Sequence, residues 1–82
     1  MPTLRHLATA SAIEIEHCQL VRTHEVGGIS LCSFFVPMSH RVVLGERYSL
    51  HLEGEALLVV PIESIQREPG WTQILAAIVG QP

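Results

Sequence analysis

Two apolar runs separated by a single glycine decide the class of this chain. Tyr48, Leu50 and Leu52 alternate with Ser49, His51 and Glu53, the two-residue period of a strand with one face in a core. Gly54 then interrupts the pattern, and residues 56–60 are apolar without alternation, as in a strand running through the middle of a sheet. Strand, glycine turn and strand predict a hairpin. The chain is therefore read as mainly β, a small antiparallel β-barrel or two-layer sheet of about five strands. Pro61 falls inside the second strand of the hairpin. A proline has no N–H to give to a ladder, so the sheet is expected to end or bulge there.

The chain of 82 residues reads as a single small domain spanning residues 1–82. It is 48% hydrophobic and only 16% charged. So short a chain has little interior in which to hide that much apolar side chain. Part of it should remain outside, as a contact surface for another copy or another protein.

The composition removes several chemistries. There is no Lys, Asp or Asn, so a lysine Schiff base, a P-loop lysine and an EF-hand loop are excluded. The formal net charge is -3, with the arginines dispersed at Arg5, Arg22, Arg41, Arg47 and Arg67. A nucleic-acid surface needs clustered cations to displace counterions, so no nucleic-acid partner is expected. No apolar run reaches the roughly 18–20 residues of a membrane-spanning helix. Residues 1–12 lack the continuous apolar stretch of a signal peptide. The expected location is the cytoplasm, with no membrane partner.

Residues 1–11 fit either a short helix capped by Thr3, with Leu4, Leu7 and Ala8 at helical spacing, or a flexible lead-in. Residues 12–23 read as a strand with Ile13, Ile15, His17, Gln19 and Val21 on one face. Residues 24–28 read as a turn around the paired glycines, and residues 29–36 as a second strand. Residues 37–45 break the pattern and form a loop that covers the end of the domain or folds over a ligand. After a turn at residues 67–70, residues 71–79 read as a strand. Trp71, Ile74, Leu75, Ile78 and Val79 also fit a helix face, but so short a segment favours the strand.

No catalytic, metal or cofactor-binding residue stands out. Five histidines and two cysteines occur without CxxC or HxxxH spacing. His17 and Cys18 are adjacent, so on a strand they point to opposite faces. If a hairpin joins the first two strands, an even register sum puts Cys18 and Cys32 on one face and an odd sum puts them on opposite faces. Two reduced, mostly buried thiols are expected. Glu14/Glu16 and Glu53/Glu55 read as solvated faces. Gly27 and Gly28 lack a following helix that would help them hold a phosphate.

The segment from Gly28 to Leu52, including Leu44-Gly45-Glu46-Arg47-Tyr48-Ser49-Leu50, resembles the central strands of PilZ-type barrels. Those domains bind cyclic dinucleotides, and the resemblance implies a β-barrel. The family's paired arginines ahead of the first strand are missing, and residues 25–30 do not carry its Asp-x-Ser-x-x-Gly signature. No residue of that ligand site carries over.

The expected function is a non-enzymatic structural or protein-interaction module that self-associates. Its expected contact residues are Phe34, Phe35, Val42, Val43, Leu44 and Trp71, large apolar side chains that mostly lie outside clear alternation. The alternative is a small-ligand or nucleotide-binding β-barrel that senses a metabolite through the loop at residues 37–45.

Overall fold

The computed structural model describes residues 2–22 and 30–81, and contains no helix among them. Seven strands run through it: β1 Thr3–His6, β2 Ala12–Glu14, β3 Glu16–Arg22, β4 Ser30–Pro37, β5 Tyr48–Leu52, β6 Glu55–Arg67 and β7 Trp71–Gly80. All pair antiparallel in one sheet, in the order β2-β1-β5-β6-β7-β4-β3. The turn expected at residues 24–28 lies outside the described residues.

Three expectations are corrected. There are seven strands rather than about five. The helix considered at residues 1–11 is instead β1, because Leu4 is paired on both sides, with Ile13 of β2 and Leu50 of β5. Two ladders outweigh the propensity of a helix too short to be stable by itself. The sheet is also neither a closed barrel nor two layers. β2 and β3 occupy its opposite ends, and no ladder joins them among the described residues.

Those two ends are nonetheless covalent neighbours, separated only by Ile15. The sheet therefore curls until its first and last strands meet along the chain. Ile15 is 1% exposed, and its N–H donates to the Pro2 carbonyl at 3.1 Å. The concave face holds the core: Leu4, Ile15, Phe34, Val36, Leu50, Val59 and Ile74 are all buried there.

Along β2 and β3 the two-residue period slips once. Ile13 and Ile15 face the core before the slip, and Cys18 packs against it afterwards. The slip is a β-bulge between Glu16 and Gln19, where His17 takes a φ of 52°. The single face expected for Ile13 through Val21 is therefore broken at His17.

The hairpin forms as the alternation predicts. Tyr48 pairs with Val59 and Leu50 with Leu57, and Gly54 supplies a φ of 84° in the turn, a conformation that side chains disfavour. The bulge expected at Pro61 is present as a register shift between Pro61 and Glu63. The β5 ladder stops at Val59, and the Pro61 carbonyl instead accepts the Gly45 N–H at 2.8 Å. Past the bulge the inward positions of β6 are Ser64 and Gln66, opposite Ile74 and Thr72 of β7.

Candidate functional site

The six expected contact residues separate into three places. Phe34 has no exposed surface and faces the core between Cys32 and Val36, so its assignment to a contact surface is corrected. Adjacent strand residues point to opposite faces, and burying Phe34 turns Phe35 outward. Phe35 and Trp71 lie half-buried on the convex face. Val42, Val43 and Leu44 lie on the loop between β4 and β5. There Val42 packs against the core, while Val43 and Leu44 are exposed.

The register lays out the convex face in rows. Phe35, Gln73 and Ile65 form one row across β4, β7 and β6. Ser33, Leu75 and Glu63 form the next, followed by Leu31, Ala77 and Val60. Pro37, Trp71 and Arg67 cross the strands at the other end. Ile65 is 39% exposed and Ile62, at the bulge, 50%. Among the described residues no other strand packs over this face, since every strand belongs to the one sheet. The charged residues in these rows are Glu63 and Arg67, four positions apart on β6. His17 sets the edge of its ring against Phe35, with centroids 5.4 Å apart.

A cleft of about 620 Å³ opens on the other side, where residues 38–44 overhang the far half of the β6–β7 hairpin. The loop is tied down along its length. Met38 N–H donates to the Gly70 carbonyl at 2.9 Å. Val43 N–H donates to the Tyr48 hydroxyl at 2.9 Å. The bond from Gly45 N–H to Pro61 secures the far end. Tyr48 is itself buried and stacks on His6, with centroids 4.5 Å apart and ring planes 14° from parallel.

His6 also meets Glu46, forty positions away, with Nε2 2.6 Å from Oε1. Thr9 Oγ1 lies 3.2 Å from His6 Nδ1 and 2.9 Å from Ser11 Oγ. The order hydroxyl, imidazole, carboxylate occurs in nucleophilic sites. In this chain the Thr9 hydroxyl is engaged within the β1–β2 turn, which Ala10 N–H closes by donating to the His6 carbonyl at 2.7 Å. Glu46 is 46% exposed. Nothing in the sequence spacing signals this meeting.

The thiols are unactivated. Both are free, and burial pushes the Cys18 thiol above its ordinary range. Cys32 is pushed up to about 12, by burial first and then by Cys18 beside it. Past the bulge Leu20 pairs with Cys32, an even register sum, and Cys18 packs against the core in which Cys32 is buried, so both thiols share the inner face. Glu14, Glu16, Glu53 and Glu55 are exposed. Among the described residues no three His, Cys or Glu side chains converge as metal ligands, and no helix is long and apolar enough to cross a membrane. The chain matches no family model, no curated protein and no solved structure.

Proposed function

We propose that this domain is a non-enzymatic contact module that pairs with a second copy of itself through the convex face of β4, β7 and β6. The observation that carries this reading is the apolar surface from Phe35 and Leu75 across to Ile65 and Ile62, with no other strand over it among the described residues. Sheet faces of this kind bury themselves against another sheet about 10 Å away.

The charges favour a second copy as the occupant. Glu63 and Arg67 flank Ile65 on β6. A two-fold axis between the sheets, perpendicular to β6 at Ile65, stacks the strands antiparallel and sets Glu63 of one copy over Arg67 of the other. Such an interface is self-complementary, as a two-fold contact must be. What supports the absence of bond-making chemistry is the state of the candidate groups. The thiols are held protonated, and the Thr9 hydroxyl belongs to a turn.

Sedimentation velocity over a concentration series tests the reading. The wild-type chain is expected to move from monomer to dimer with rising concentration. Ile65→Glu, a change at an exposed position, is expected to stay monomeric with unchanged circular dichroism. A wild-type chain that remains a monomer at the highest concentration reached would overturn the proposal.

A further inference from the structure

We infer that the cleft beneath residues 38–44 is a binding site for a small organic anion, an apolar body carrying one carboxylate or phosphate head. The inference concerns the concave side of the sheet and stands apart from pairing through the convex face.

The lining changes character along one strand pair. From Leu57 to Pro61 the inward positions of β6 are apolar and lie in or against the core. Past the bulge the same face presents Ser64 and Gln66, with Thr72 opposite on β7. A core extended in this direction would call for apolar side chains. Instead the surface offers two hydroxyls and a carboxamide, set beside the buried Ile74 and the half-buried Val42. Small-molecule sites combine apolar walls with polar groups that fix orientation, and this cleft is lined by five apolar and five polar side chains. The volume of about 620 Å³ falls within the range of such sites, about 300–1,000 Å³.

Charge selects the ligand. Arg41 lines the cleft, and none of the glutamates among the described residues does so. On a chain of net charge -3 this cleft is locally cationic. A guanidinium presents a planar fork of donors that matches a carboxylate or phosphate. The hydroxyls of Ser64 and Thr72 can donate to the same oxygens. The overhanging loop is secured by Val43 N–H on the Tyr48 hydroxyl and Gly45 N–H on the Pro61 carbonyl. A wall already in place leaves less ordering entropy to be lost on binding.

The test is a titration followed by backbone amide NMR with three probes: octanoate, 1-octanol as the same body without the charge, and acetate as the charge without the body. Octanoate is expected to shift amides in residues 38–44, 64–66 and 72–74, and to bind about tenfold more tightly than either control. Arg41→Gln is expected to weaken octanoate about tenfold, to the level of 1-octanol, with the remaining amides unmoved. Octanoate that shifts no amide in those three segments would overturn the inference. So would equal binding of octanoate and 1-octanol, or an Arg41→Gln variant that binds octanoate as the wild type does. Ser64→Ala gives a second, independent variant, expected to weaken octanoate and leave 1-octanol unchanged.

Discussion

At the scale of single residues, the behaviour of Cys32 follows from where its sulfur sits. The side chain has no exposed surface, and burial disfavours the thiolate. The folded chain therefore keeps this proton up to about pH 12, whereas the ordinary value is 9.0. Between those values the unfolded chain binds fewer protons than the folded one, so stability falls as pH rises. The contribution is intact below pH 9 and declines by at most about 1.4 kcal/mol per pH unit above it. Cys32→Ala is expected to flatten the alkaline limb of urea-unfolding stability between about pH 9 and 11. Parallel limbs for the variant and wild type would refute this account. That both thiols are free and that Cys32 is buried was legible in the sequence, whereas Cys18 is only half-buried. That they share a face was not, because the parity depends on a register no local pattern states. Phe34 and Phe35 show the same limit. Two identical neighbours cannot both face the core, and the chain around them does not say which one does.

At the scale of elements, the hairpin of β5 and β6 was legible because its signals are local. The period of Tyr48, Leu50 and Leu52 sets the faces, Gly54 makes the turn, and Pro61 marks the bulge. β1 was not legible, since its two ladders come from residues 12–14 and 48–51. The slip at His17 was hidden too, because apolar residues occur in both phases of residues 12–23. The loop between β4 and β5 was visible as irregular sequence, but its anchor was not. Tyr48→Phe removes the acceptor of Val43 N–H while keeping the ring on His6. Val43 is 40% exposed, so water replaces the hydroxyl, and the loss is expected to be about 0.5–1.5 kcal/mol. Hydrogen exchange at the Val43 amide should accelerate, with Leu50 and Val59 unaffected. Unchanged exchange at Val43 would mean that the hydroxyl does not hold the loop.

At the scale of the whole molecule, one residue joins the two ends of the sheet. Ile15 is buried between β2 and β3, which among the described residues pair only with β1 and with β4 respectively. Ile15→Ala is expected to cost about 2–5 kcal/mol. Its signature should be a loss of amide protection in both β2 and β3, measured by hydrogen exchange below the unfolding midpoint. Loss confined to one of these strands would show that the ends are not coupled through it. The proposed pairing through the convex face and the inferred binding under the loop also belong to this scale, because each surface gathers residues from distant parts of the chain. The amino-acid order alone determined the β class, the hairpin, its proline bulge and the excess of apolar side chain, since each is written in neighbouring residues and in composition. Only the tertiary structure decided the number of strands, the open curled sheet and the meeting of His6 with Glu46. It alone also put Arg41 on one cleft with Ser64, Gln66 and Thr72. These depend on which strands pair and in what register, and that choice is made by contacts between residues far apart in the chain.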